Sequence, residues 1–170
     1  MRTTTKTLVW AAVLGAVFST GCKGSKSPDQ PIPATVIPPA SYAETAGVTD
    51  DVKAECELEM SVPQWIAENA PGASPGVAGD ANRVLAIEIT HMMGAGGGAW
   101  SGPKQLVVSG TLTENGTTIG TFQGRRTTSG GMYAKFKTTC SMLSTCGEEL
   151  GEDIGEWLQH PTMDAKLGEF

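Results

Sequence analysis

The chain has 170 residues with a formal net charge of −6 at neutral pH, and it contains 22 glycines but only 6% aromatic residues. Nucleic acids and anionic lipid headgroups are bound through basic patches, so the acidic composition argues against both as partners. The glycine and aromatic contents favour a small sheet protein with long loops over a helical bundle.

The N-terminal segment has the parts of an export signal. Residues 1–6 contain two basic residues and no acid, and residues 7–18 are almost wholly apolar. This apolar run is too short to span a bilayer, which takes about 20 residues, and it has the length of a signal-peptide h-region. It ends in Ser19-Thr20-Gly21-Cys22. That ending resembles the lipobox of bacterial lipoproteins, although those proteins prefer Leu where Ser19 stands.

We therefore expect residues 1–21 to be a lipoprotein signal peptide and Cys22 to carry acyl chains. Each buried CH₂ adds about 0.8 kcal/mol, so two or more chains hold a protein stably on a lipid bilayer. Lys23 follows the cysteine, and by resemblance to Gram-negative sorting rules a residue other than Asp there favours the outer membrane, with the protein facing the periplasm. The alternative is an ordinary secretory signal with a chance cysteine. Loss of Arg2 and Lys6 with the signal changes the net charge from −6 to −8.

The segment after the signal predicts a tether that leads into one folded domain. Residues 22–40 comprise the lipidated cysteine and a stretch with five prolines, which is typical of an extended, semi-rigid linker. The folded part is expected to begin near Ser41, so that residues 41–170 form a single domain. No second apolar run in the sequence reaches the length of a membrane span.

The first half of this domain predicts a helix, a loop and a strand. Apolar residues at helical spacing predict a helix over residues 50–67. Pro63 should end or kink this helix near Val62, or begin a second helical turn. Residues 70–79 are rich in proline and glycine and predict a loop. Alternating apolar residues predict a strand over residues 83–90.

The second half begins with a strong hairpin pattern. Residues 104–113 and 117–127 read as strands around Asn115-Gly116, the dipeptide most typical of a two-residue hairpin turn. With such a turn, Leu112 is expected opposite Ile119. A further short strand is expected around Met132 to Phe136, and the last element predicted is an amphipathic helix over Cys146 to Leu158. The expected fold class is α+β: one mainly antiparallel sheet of about four strands covered by two helices.

The predicted final helix has a glycine face and an acidic face. Gly147, Gly151 and Gly155 fall on the same side as Leu150 and Ile154. Three glycines cost roughly 1 kcal/mol each in helix propensity, but small residues let a second backbone approach closely. We therefore expect this helix to lie tight on the sheet or on the first helix. The opposite face is a candidate interaction face and comprises Glu148, Glu149, Glu152, Asp153 and Glu156.

A set of turn and packing motifs is spread along the domain. The motifs are Gly97–Lys104, Asn115-Gly116, Ile119–Phe122, Arg125-Arg126, Cys140, Leu150–Ile154 and Trp157-Leu158. Together they resemble an uncharacterised bacterial lipoprotein group, the domain-of-unknown-function 4410 type, over about residues 42–160. The resemblance implies a lipoprotein and a fold. It implies no activity and assigns no functional residues.

The cysteines predict one disulfide. With Cys22 used by lipid, Cys56, Cys140 and Cys146 remain, and export permits oxidation. If the final helix already includes Cys140, this residue and Cys146 lie about 9 Å apart along the axis and cannot bond. A helix starting later, capped by Thr145, would leave the two free to pair. We favour Cys56–Cys140, with Cys146 as the third thiol; no pair has the spacing of a zinc site.

Other candidate chemistry is weaker. His91, together with its two neighbouring methionines, His160 and Met163, could offer a soft copper site, but methionines that end a buried strand are commoner. The chain has 2 histidines, and neither lies in a catalytic pattern, so we expect no enzyme activity and no cofactor. The glycine-rich Gly94–Gly102 segment lacks the ending of a phosphate-binding loop and predicts either a flexible connection or a bulged sheet edge on which Trp100 packs.

These patterns predict a membrane-tethered, non-catalytic binding or envelope-assembly module that faces the periplasm. Its acidic helix face is expected to meet a basic envelope protein, although a charged face is more often simply solvated. The alternative function is a small-ligand or copper-binding lipoprotein that uses the Gly94–Trp100 loop and His91.

Overall fold

The computed structural model describes residues 31–93, 103–128 and 138–170. These residues form an α+β fold, as predicted, in which three helices accompany a mixed sheet of seven strands. The strands are β1 Thr35–Ile37, β2 Ser41–Tyr42, β3 Ala73–Pro75, β4 Arg83–Met93, β5 Lys104–Glu114, β6 Thr117–Thr128 and β7 Ala165–Gly168. The helices are α1 Asp50–Cys56, α2 Leu58–Asn69 and α3 Thr139–Gln159.

The sheet combines a long antiparallel centre with short parallel strands at its sides. Its order is β3-β1-β4-β5-β6-β7, and β2 also pairs with β4. Strands β4, β5 and β6 pair antiparallel, whereas β1, β2, β3 and β7 pair in parallel. The prediction of a mainly antiparallel sheet of four strands was therefore too simple. The four parallel strands have only 2 to 4 residues each, too few for an alternating pattern to show in the sequence.

The second half of the predicted tether belongs to the folded domain. Ile32, Ile37 and Ala40 are buried, and β1 lies inside the sheet between β3 and β4. The folded part thus begins before Ser41, which corrects the predicted boundary. The prolines of this segment do not interrupt β1 because they flank its three paired residues. Residues 1–30, which include the predicted signal peptide and Cys22, lie outside the described residues.

The single helix predicted over residues 50–67 is two helices. Glu57 adopts a left-handed conformation, with φ of 46°, and separates α1 from α2. A glutamate rarely takes this conformation, which is why the sequence gives no sign of the break. The second helix then extends past the predicted end to Asn69.

Pro63 lies inside α2 and does not end it. A proline has no N–H, so the carbonyl four residues earlier is left without its helical partner. That carbonyl belongs to Glu59, and it accepts the backbone N–H of Ala40 at 2.8 Å. The segment predicted to be a tether therefore satisfies the group that the proline leaves free, which lets the helix continue.

The β5–β6 hairpin turns at Asn115-Gly116, as predicted, with positive φ at both residues. Its register differs from the prediction, because Leu112 lies opposite Gly120 instead of Ile119. A β-bulge beside Leu112 and Thr113 inserts one extra residue on β6, and a turn type alone cannot predict such a bulge.

Helix α3 is the central packing element. It contacts α2 on one side and β5, β6 and β7 on the other. Its apolar side chains Leu150, Ile154 and Leu158 join one core with Leu106 and Val108 of the sheet. Within the described residues, no helix has the length and apolar character needed to cross a membrane. The strand predicted around residues 132–136 and the Gly94–Gly102 segment lie outside the described part of the chain.

Candidate functional site

Helix α3 begins about two turns before the predicted start at Cys146. Thr138 caps it, since its side-chain oxygen accepts the Ser141 N–H at 3.1 Å. The buried pair Met142 and Leu143 continues the apolar face through these added turns. The predicted start was too late because this segment is rich in serine and threonine, which are weak helix formers.

The disulfide lies at this end of α3. Cys56, the last residue of α1, is bonded to Cys140, with Cα atoms 5.0 Å apart. This is the pairing that the sequence favoured. Because α3 contains both Cys140 and Cys146, these two cannot pair with each other. The disulfide therefore joins the end of the first helix to the start of the last.

Cys146 is a free thiol inside the protein. Its side chain is 1% exposed, and its Sγ lies 3.7 Å from the Lys104 carbonyl oxygen. Burial raises the pKa of Cys146 from 9.0 to about 11. A buried neutral thiol of this kind is chemically inert.

We expect native protein at pH 8 to resist iodoacetamide at Cys146, since the pKa of about 11 leaves about 0.1% thiolate. Denaturation without reductant should expose one reactive thiol, counted by mass spectrometry. The unfolded thiol ionises first, so folding stability should also fall as the pH rises from 9 toward 11. Rapid labelling of the native protein would contradict this assignment.

The glycine face of α3 rests on α2. All three glycines are buried. A methyl group added at Gly147 would meet the Trp65 ring, one at Gly151 would meet the Trp65 backbone, and one at Gly155 would meet the Asn69 backbone. The sequence left open whether this face lies on the sheet or on the first predicted helix. The structure places it on α2, the second part of that helix.

The acidic face of α3 divides into two groups. Glu148 and Glu152 are exposed and point away from the sheet. Glu149, Asp153 and Glu156 form a row along the side of the helix nearest β6 and β7, which we call the acidic row. The predicted interaction face is therefore only partly a free solvated surface.

Arg126 of β6 binds two members of the acidic row. Its guanidinium donates to both carboxylate oxygens of Asp153, at 2.8 and 2.7 Å, and lies 3.8 Å from Glu149. The hydrogen bonds to Asp153 raise the pKa of Arg126 above its ordinary value. Arg125 lies on the opposite face of the strand, where its guanidinium stands 4.6 Å from the Phe170 ring centre. The two arginines therefore do not form one anion-binding clamp.

A cleft of about 300 Å³ lies between α3 and β7. We call it the α3–β7 cleft, and its lining residues are Asp153, Glu156, Trp157, Thr162, Ala165, Lys166, Leu167 and Gly168. Trp157 packs edge-to-face on Phe122, with ring centres 4.8 Å apart, and is 6% exposed. Its indole N–H has no hydrogen-bond acceptor among the described residues.

The candidate copper ligands do not form a cluster in the part of the chain that the structure describes. His91 is exposed on β4, opposite Val107, and His160 is exposed at the end of α3. No group of three or more His, Cys, Asp or Glu side chains able to hold a metal occurs in residues 31–93, 103–128 and 138–170. The Gly94–Trp100 loop, the other part of that hypothesis, lies outside these residues.

Sequence reasoning missed the β7 side of the cleft. Lys166 and Leu167 belong to a four-residue strand, which is too short for a periodic pattern. Pro161 directly after α3 was the available sign that a new element starts here. The Arg126–Asp153 pair was also missed, because it joins two residues 27 positions apart.

Comparison with known proteins shows the fold alone. No family model and no curated protein matches the chain, so the resemblance to the domain-of-unknown-function 4410 type stays a prediction. An uncharacterised protein of known structure has a TM-score of 0.50 and 12% identity, covering 74% of this chain and 93% of its own. A Xanthomonas campestris protein of the domain-of-unknown-function 330 family has a TM-score of 0.50 and 10% identity, covering 77% and 88%. The PelC dodecamer of Paraburkholderia phytofirmans has a TM-score of 0.49 and 12% identity, covering 75% and 92%.

Proposed function

We propose that this protein is a lipoprotein, anchored in the outer membrane by acyl chains on Cys22, whose domain is a non-catalytic binding or envelope-assembly module facing the periplasm. The observation that carries the anchoring is the sequence of charged segment, short apolar run and Gly21-Cys22. The disulfide between α1 and α3 supports export, since such bonds persist in oxidising compartments.

The binding role rests on the acidic side of α3. This helix carries five acidic residues and no basic residue along its whole length. Carboxylates exposed on one side attract a basic partner, and this attraction acts mainly on the rate and specificity of association. Glu148 and Glu152 stand exposed on this side, on the face away from the sheet, and are the residues that such a partner meets first.

The anchor is tested by labelling cells with palmitate. Cys22→Ser is expected to abolish incorporation of label and to leave an unprocessed precursor, because the cysteine sulfur is the acyl attachment point. Cys146→Ser is the matched control and should keep full labelling, since Cys146 is buried inside the domain. Labelling and membrane fractionation of the Cys22→Ser protein would show that the anchor lies elsewhere.

The binding role is tested by chemical cross-linking of the full chain in intact membranes. Reversing both charges in the Glu148→Lys, Glu152→Lys variant should reduce cross-links to a basic partner by about tenfold, as expected for opposed charges at an interface. Glu44→Lys with Glu55→Lys reverses two exposed acids elsewhere and should leave the cross-links intact. Equal loss in both variants, or no cross-linked partner in the parent, would refute a specific role for this face.

A further inference from the structure

Among the described residues, strand β7 forms an edge of the sheet. It pairs with β6 in parallel, and no other described strand pairs with it. The Glu169 N–H donates to the Arg125 carbonyl, so Ala165, Leu167 and Glu169 direct their backbone groups toward β6. A strand pairs through alternate residues, and Lys166 and Gly168 therefore direct their N–H and C=O groups outward. An exposed edge of this kind is a template for another strand.

The α3–β7 cleft lies beside this edge, on the helix side of the sheet. Trp157, Ala165 and Leu167 give its wall an apolar character, and Ala165 and Leu167 pack against the core. The indole N–H of Trp157 is buried without an acceptor among the described residues. A buried donor without a partner is costly, at about 1–3 kcal/mol, so a segment whose backbone carbonyl accepts from this N–H is favoured.

The charge around the cleft is negative. Asp153 and Glu156 line it, and the row continues along the helix to Glu149. Arg126 neutralises Asp153 in part. Lys166 also lines the cleft, but its Nζ donates to Gln123 at 2.6 Å, so its positive charge lies on the face of the sheet away from α3.

We infer that the outer edge of β7 and the α3–β7 cleft bind an extended, basic segment of a partner protein by strand addition. The segment pairs with the outward backbone groups of Lys166 and Gly168. Its side chains alternate, so every second one enters the cleft and meets the acidic row. A second copy of this chain is a poor occupant, because its own acidic row would repel the first. This inference rests on the proposed binding role and names the surface and the partner's chemistry.

The probe is a synthetic octapeptide of alternating valine and lysine, titrated into the isotopically labelled full chain in neutral detergent. Its binding is expected to shift the amide resonances of Lys166, Leu167 and Gly168 and the indole resonance of Trp157. An alternating valine–glutamate octapeptide should not bind, because its charge matches that of the acidic row. Equal binding of both peptides, or shifts confined to other strands, overturns the inference.

Two variants at one position separate backbone pairing from charge. Lys166→Pro removes the outward N–H while leaving the bonds of Ala165 and Leu167 to β6, and proline is tolerated on edge strands. This variant should weaken binding of the valine–lysine peptide by about tenfold, because one hydrogen bond is lost and a peptide carbonyl is left without a donor. Lys166→Thr removes the same charge but keeps the N–H, and should bind as well as the parent or better. Equal affinities of the two variants overturn strand addition.

The membrane cross-linking experiment keeps this inference distinct from the proposed function. If the Lys166→Pro protein retains the cross-linked partner, the binding role stands and the β7 edge is not its site. If the parent binds the peptide at β7 but captures no membrane partner, the proposed function fails while the edge still binds basic strands. A concentration-dependent dimer that Lys166→Pro abolishes would assign the edge to a second copy, against the inference.

Discussion

Replacing Gly151 by alanine is expected to lower the free energy of unfolding by about 1–2 kcal/mol, although alanine is the better helix former. The propensity gain is about 0.5–1 kcal/mol. Against it, the new methyl carbon would lie 2.8 Å from the backbone carbon and oxygen of Trp65. Helix α3 cannot retreat from α2, because its other side packs on the sheet. Overpacking costs about 1–3 kcal/mol, so the steric effect is the larger.

A graded series makes this test sharper. Gly151→Leu adds a side chain against the same backbone and should prevent folding or lower the thermal midpoint strongly. Glu152→Ala is the matched control on the same turn, since Glu152 is exposed, and it should stay within about 0.5 kcal/mol of the parent. Chemical denaturation followed by circular dichroism measures all three. A Gly151→Ala protein more stable than the parent would mean that α2 does not rest on this position.

The glycine face shows what helical periodicity can and cannot predict. Spacing alone showed that Gly147, Gly151 and Gly155 share a side with Leu150 and Ile154, and all five are buried. Spacing could not choose the neighbour, because it describes one element and not its partner. The same limit applies to the acidic face, because the binding of Asp153 by Arg126 depends on the tertiary fold.

The short elements escaped prediction for a different reason. Strand β1 was hidden in a proline-rich stretch, and β7 in the last residues after α3. Such strands form because they pair with long neighbouring strands and not because of their own residues. The composition of the segment therefore does not predict them. Pro63 illustrates the same point within a helix, because its effect was decided by the Ala40 N–H that reaches the Glu59 carbonyl.

Removing the disulfide with Cys56→Ala and Cys140→Ala together is expected to destabilise the domain more than Gly151→Ala does. The two cysteines are 84 residues apart in sequence. Closing a loop of this length restricts the unfolded chain by about 4–5 kcal/mol in the chain-entropy description, and typical measured losses are about 2–5 kcal/mol. Domains of this size are stable by only about 5–15 kcal/mol. At roughly 3 °C per kcal/mol, the thermal midpoint should fall by about 10 °C.

Reduction provides the control for this prediction. Dithiothreitol should lower the midpoint of the parent by a similar amount and leave the double variant unchanged, because only the parent contains the bond. Cys146→Ala retains the disulfide and should still respond to the reductant, which separates the cross-link from the buried thiol. Helix α1 has few contacts with α3 apart from this bond. When the disulfide is removed, α1 should therefore be the first element to lose amide protection from hydrogen exchange. Equal midpoints for the parent and the double variant would mean that packing alone holds α1 against α3.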